Sequence, residues 1–304
     1  MSDATAVART TTTTTVRERR DGSPLAPWLL LLPGLLVLVP FYVVPMLSTF
    51  LLSFYGVRDF AVVTELTVEN YTRIFGDWFY LRSLLTTMRI SLIVCAFTLV
   101  LGYPLAWEIA RARGRYRAAL TLIVLAPLLV GLIVRSYGWL IVLGPRGLIN
   151  NTFLAMGIID RPFPLLWTEA AIYIGLAHVF LPFMVLGVLG SLQSLDWNLV
   201  LAARSLGATR TAAWRRVVLP LSLPGVGAGT MLVFALSMSA FVTPVMLGGK
   251  AARVLAVYAW QQNTVVLDYP FGAALAVVLL LAGGLAVGLY MRLLRSGRPG
   301  MTVS

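Results

Sequence analysis

Along this chain, long uninterrupted apolar runs alternate with short polar segments rich in arginine. Six runs, at 28–54, 83–110, 118–143, 170–192, 221–243 and 271–291, are each about as long as a helix needs to be to cross roughly 30 Å of hydrocarbon. A lipid-facing strand would alternate apolar with polar residues, whereas these runs are continuous. The pattern therefore predicts an all-α, polytopic membrane protein with about six transmembrane helices. The first run is far longer than the apolar core of a cleaved signal peptide, so it is expected to remain. It contains Pro33, Pro40 and Pro45, which remove backbone donors, so it is expected to bend.

One polar segment, 196–220, carries structure of its own. Asp196 is placed to accept from the first backbone N–H groups of a short helix over 197–205. Gly207 ends that helix, because glycine enters a left-handed conformation without a Cβ clash. Thr209 is placed to cap a second short helix through Arg216, and Pro220 and Pro224 follow at the mouth of the fifth run, where a missing N–H costs little. Ala202 and Ala203 are small enough for a partner's surface to approach the backbone. An amphipathic helix resting on the bilayer accounts for the same residues, and their chemistry alone leaves both readings open.

Composition and charge then set the solvent and the orientation. With 59% apolar residues, 12% charged residues and a mean hydropathy of +0.87, the chain has to be solvated by lipid. If the N-terminus is cytoplasmic, fifteen of the 24 basic residues fall on the inner side, which orients both termini and the 196–220 segment inward. The net charge of +12 is dispersed over helix ends, so it points to orientation and anionic headgroups, not to nucleic acid. Residues 1–24, with threonines from Thr10 to Thr15, are expected to form a disordered cytoplasmic tail. The transmembrane domain is assigned to 25–293, and 294–304 to a second cytoplasmic tail. Cys95 is the only cysteine, so no internal disulfide forms, and its place in an apolar run suggests core packing.

Catalytic chemistry is missing from this inventory. The single lysine, Lys250, is followed by Ala251 and Ala252 instead of the Ser or Thr of a P-loop. One histidine and one cysteine leave no metal cluster, no Ser-His-Asp set and no HExxH, so no catalytic residue, metal or bound cofactor is expected on this chain. The ionisable groups within the runs are few. His178 lies about 14 Å into the fourth run by helical rise and either faces a pathway or, as preferred, is a neutral histidine bonded between helices. Arg89 and Arg135 either line a pathway or reach an interface, and Arg135 is the better placed to snorkel. Further pathway candidates are Ser237, Ser239, Phe241 and Thr243 in the fifth run, with Tyr137, Trp139 and Asp268 from neighbouring outer ends. The bland account makes the hydroxyls backbone-bonded and the aromatics part of an interfacial belt. Glu108 is taken as a local partner for nearby arginines.

The spacing of Ala202-Ala203, Gly207 and Val217-x-Leu219-Pro220 resembles the EAA loop of permease subunits in bacterial ATP-binding-cassette importers. Arg135-Ser-Tyr-Gly-Trp139, Leu181-Pro182-Phe183, Phe241-Val-Thr-Pro244 and Tyr269-Pro-Phe-Gly272 look like the first permease of spermidine/putrescine-type systems. The resemblance implies a type I ABC importer permease fold in the bacterial inner membrane. It also implies a separate ATPase subunit dimer that uses ATP and Mg, a second homologous permease subunit and an extracytoplasmic solute-binding protein. Leu201, Ala202, Ala203, Arg204, Gly207, Val217, Leu219 and Pro220 would then form the coupling loop. Leu201 departs from the pattern, standing where the family has glutamate. The cargo would be a small solute of the polyamine, opine or amino-acid-derivative kind, and Arg89 or Arg135 would oppose a polycation if either faced the cavity. The alternatives are an ion-coupled secondary carrier, which needs ionisable groups near the midplane, and a membrane-embedded enzyme.

Overall fold

A backbone surrounded by hydrocarbon has to close its own hydrogen bonds, and the apolar runs are accordingly helical in the computed structural model, which describes residues 26–58, 61–251 and 253–296. Six helical stretches are long and apolar enough to cross a bilayer: Leu31–Leu52, Trp78–Arg111, Leu132–Ala155, Glu169–Gln193, Arg210–Ser239 and Tyr269–Leu293. The expected tail 1–24 lies outside the described residues, as does 297–304. The last helix runs to Ser296, beyond the expected boundary at 293.

The chain divides into two compact units, through Ser48 and from Thr49 onward. The first holds α1 (Ala26–Leu38), a π turn (Val39–Val43) and most of α2 (Val44–Leu52). Pro40 lies in the π turn, which interrupts the regular α ladder of the first run and whose wider register accommodates the missing donor.

The second unit begins with a feature that an all-helical expectation omits, an antiparallel hairpin of β1 (Tyr55–Arg58) and β2 (Ala61–Leu66), with Val57 opposite Val62. Asn70 on α3 (Glu69–Gly76) secures it by donating to the carbonyls of Ser53 and Tyr55 at 3.0 and 2.9 Å. Asp77 then caps α4 (Trp78–Arg111), accepting from the Phe79 N–H at 2.8 Å.

The third run departs from expectation. A single helix over 118–143 is replaced by α5 (Gly114–Leu129) and α6 (Leu132–Leu143), separated by extended Val130 and by Gly131. Pro127 removes a donor from the end of α5, and its own carbonyl, left without a helical donor because α5 stops at Leu129, accepts from Arg135 Nη1 at 2.8 Å, a cation at a helix C-terminus where the dipole favours it. Hydropathy continues across the break, so the pattern of apolar residues does not reveal it. The next helix is α7 (Leu148–Ala155). Fully buried Asn150 ties the following loop down, donating to the Gly144 and Phe163 carbonyls and accepting from the Phe163 N–H at 2.8 Å.

At the centre stands α8 (Glu169–Gln193), packed against α4 and against α11 (Leu219–Ser239). Ile90, Val94, Leu176, Met184, Val188 and Val233 form part of the core they share. Glycines set the α8–α11 distance: a Cβ on Gly187 would fall 2.7 Å from Gly229 Cα and 2.8 Å from Gly229 N. This is the small-residue approach by which membrane helices gain van der Waals contact without a hydrophobic driving force. Beyond α11 come a π turn (Pro244–Gly248), α12 (Leu255–Gln261), another π turn (Gln262–Val266) and α13 (Tyr269–Ser296), with Phe271, Ala274 and Leu275 buried against Leu255 and Ile74.

Candidate functional site

The 196–220 segment folds as an elbow. Asp196 Oδ1 accepts from the Asn198 N–H at 2.9 Å and starts α9 (Trp197–Ser205). At its other end the Ala208 N–H donates to the Ala203 carbonyl and the Gly207 N–H to the Arg204 carbonyl, both at 3.0 Å. That pair of bonds is the Schellman closure, and it holds Gly207 at φ +88°. Thr209 Oγ1 accepts from the Ala212 N–H at 3.2 Å and starts α10 (Arg210–Ala213).

The second helix does not stop at Arg216 as expected. It passes through a π turn (Trp214–Val218) directly into α11, so that Arg210–Ser239 is one helical rod. Pro220 has no N–H to contribute to a regular ladder, and the wider π register just ahead of it lets the rod continue through a point where sequence rules predict a stop. Two aromatic side chains one turn apart on α4 support the elbow: Trp107 meets Trp197 with ring centroids 5.7 Å apart, and Tyr103 meets Trp214 at 5.9 Å. The Tyr103 hydroxyl also bonds Ser222 Oγ at 3.0 Å, fixing the foot of the rod.

Position along α9 separates two faces, because residues 100° apart in projection return to one side every third or fourth position. Trp197, Val200, Leu201 and Arg204 line a cavity of about 820 Å³ between the elbow and the end of α4. Leu199, Ala202 and Leu206 lie on the opposite side and are exposed.

The remaining candidates do not converge on one cavity. Trp139 Nε1 donates to His178 Nδ1 at 3.3 Å, which joins α6 to α8 and requires that nitrogen to be unprotonated. Arg89 pairs with Glu169 Oε1 at 2.5 Å, while the Tyr173 hydroxyl donates to Glu169 Oε2 at 2.7 Å. Arg135 is engaged by the Pro127 carbonyl. Asp268 accepts from the Phe271 N–H at 3.1 Å at the start of α13 and pairs with Arg73 at 3.7 Å, whose guanidinium lies 4.1 Å from the Phe271 ring centre. Ser239 bonds backbone carbonyls of its own helix, Thr243 packs beside Gly175, and Ser237 Oγ is buried without a partner among the described residues.

Two candidates share a cavity. Tyr137 and Phe241 line a cavity of about 300 Å³ together with Trp260, whose ring stacks on Phe241 at 6.1 Å and 21°. Trp260 was not among the sequence candidates because it lies in what reads as an outer loop. The helical spacing of Leu255, Ala256 and Ala259, all buried, was the available signal for α12. Glu169 was missed for a different reason: its partner Arg89 is eighty residues away in the chain.

Residues 99–298 match the family described as "Binding-protein-dependent transport system inner membrane component". The spermidine/putrescine transport system permease protein PotB of Escherichia coli (strain K12) is 35% identical over 226 residues, covering 74% of this chain and 82% of that protein. PotB of Haemophilus influenzae (strain ATCC 51907 / DSM 11121 / KW20 / Rd) is 33% identical, covering 75% of this chain and 79% of its own length. Among solved structures, a chain of a bacterial ABC transporter involved in the import of the acidic polysaccharide alginate superposes with a TM-score of 0.74 at 18% identity, covering 89% of this chain and 95% of that chain, a likeness of fold.

Proposed function

Because the chain belongs to the family of inner-membrane components of binding-protein-dependent transport systems, we propose that the 196–220 elbow is where this permease receives force from a separate ATPase. The chain is a multi-pass transmembrane permease subunit of an ABC importer, not an enzyme. The observation that carries the proposal is mechanical continuity. A partner moving α9 acts across one glycine turn on a rod that runs from Arg210 through the span to Ser239. Ala202 and Ala203, with exposed Leu199 and Leu206, offer a small-residue surface for that partner.

Two ATPase subunits would close on ATP and Mg, with one elbow of this chain and one of a second, homologous permease moving together. Rigid-body rocking of the helices would then reopen the pathway toward an extracytoplasmic solute-binding protein. In this arrangement both termini are cytoplasmic, in keeping with the distribution of arginine. The chain itself would bind no cofactor. In proteoliposomes holding the co-expressed assembly, uptake is expected only with binding protein outside and ATP inside. Uptake by the purified chain alone would instead establish an ion-coupled carrier.

For the solute, a polyamine-type cation is favoured. Arg89, which would oppose a polycation if free, is paired with Glu169, and Tyr137, Phe241 and Trp260 present aromatic faces that attract ammonium groups. The names of the PotB relatives point the same way. Titration of the cognate binding protein with polyamines, amino-acid derivatives and organic anions tests this, and selective binding of anions would refute it.

Leu201→Glu restores the family's acid on an exposed position, where substitutions stay within about 0.5 kcal/mol. Transport is expected within roughly twofold of the parent. A large loss would mean that the elbow docks differently from its relatives.

A further inference from the structure

The cavity of about 820 Å³ behind the elbow has one-sided chemistry. Arg111 at the end of α4, Arg113 and Arg117 at the start of α5, and Arg204 and Arg210 on the elbow all line it, and no Asp or Glu does. Among the described residues the ion pairs are Arg73–Asp268 and Arg89–Glu169, so none of these five guanidinium groups has a carboxylate partner among them. The family pattern would supply a carboxylate at position 201, but leucine stands there. Five like charges around about 820 Å³ repel one another until an anion enters, and guanidinium forks match phosphate oxygens in pairs.

Three tryptophans, Trp107, Trp197 and Trp214, line the same cavity. Arg111 lies 5.5 Å from the Trp107 ring centre. Indoles beside arginines at the ends of spanning helices are the arrangement of the membrane–water interface, where one wall faces acyl chains and the other faces headgroups. The cavity lies where α4 ends and the rod to Ser239 begins, so it stands at that level. On α9 it occupies the side facing away from Leu199, Ala202 and Leu206, so an occupant would leave the proposed docking face clear.

We propose that this cavity holds the headgroup of an anionic phospholipid, which braces the back of α9 against α4 while the opposite face engages the ATPase. Lipid binding stands independently of the coupling role proposed above, and only the bracing rests on it. Basic pockets between spanning helices are suited to such headgroups, each basic residue near the surface contributing to the attraction.

The test uses the full chain co-purified with its partner subunits in nanodiscs of phosphatidylcholine, with and without phosphatidylglycerol, reading retained lipid by native mass spectrometry. Wild type is expected to retain phosphatidylglycerol selectively. Replacing both Arg113 and Arg117 by glutamine should weaken retention roughly thirtyfold. Arg115→Gln removes one charge from the same turn of α5 but outside the cavity, and should behave as wild type. Equal retention of both lipids, or an equal loss in Arg115→Gln, would overturn the site. Occupancy by inorganic phosphate in lipid-independent fashion would assign the cavity to a soluble anion and overturn the lipid. Selective retention combined with coupled ATPase activity indifferent to phosphatidylglycerol would overturn the bracing, whereas failure of the elbow itself is read separately, in the Gly207 variant below.

Discussion

Gly187→Val is expected to remove the folded permease from the membrane. A Cβ at this position on α8 meets Gly229 Cα at 2.7 Å, Gly229 N at 2.8 Å and the Gly225 carbonyl oxygen at 3.1 Å, all of them backbone atoms of α11. No rotamer change relieves a contact with backbone, so the two helices have to separate, and van der Waals contact along the whole crossing is lost with them. Overpacking a core typically costs about 1–3 kcal/mol, and a valine between two backbones belongs at or above the top of that range. The checks are the amount of chain in membranes and the melting temperature of the purified assembly. Gly190→Ala supplies the control on the same helix: nothing lies within 4 Å of its Cβ, so wild-type level and stability are expected there. A Gly187→Val protein with parental stability would show that α8 and α11 do not cross at these glycines.

Gly207→Val should produce the second large effect, with the opposite character. Around Gly207 the space is open, so no clash arises, but φ is +88°, a region that a β-branched residue avoids. Strain of this kind amounts to about 1–3 kcal/mol, enough to depopulate the closed turn roughly fivefold to 150-fold. Insertion and stability of the membrane helices are expected to remain normal while transport falls by that factor and stimulation of the ATPase by loaded binding protein disappears. Gly207→Asn should lose less, because asparagine tolerates left-handed backbone better than valine. Parental transport and coupling in Gly207→Val would rule out the elbow as the route of force.

The two glycines also differ in how visible they are in the sequence. Gly207 is legible because its neighbours are local: Asp196, Ala203 and Thr209 bond within a few residues of themselves, and capping rules operate at that range. Gly187 sits in a run where any small apolar residue would read the same, and its partner Gly229 is on another span. The same contrast divides the polar residues. A histidine bonded between helices was the preferred account of His178, and Trp139 supplies the bond. Asp268 and Arg89 looked available because Arg73 and Glu169 are distant in the chain.

Long continuous apolar runs, the bias of arginine and a capped glycine elbow were determined by sequence alone, since each depends on solvation or on bonds between near neighbours. Tertiary structure decided where the third run breaks at Val130 and Gly131, how a π turn carries the elbow into the rod to Ser239, which arginines are already engaged, and that five others enclose a common space. These outcomes depend on which helices lie side by side. Hydropathy along the chain carries almost no information about that, because in lipid every outward face is equally apolar and the choice of neighbour falls to close packing and a few polar contacts.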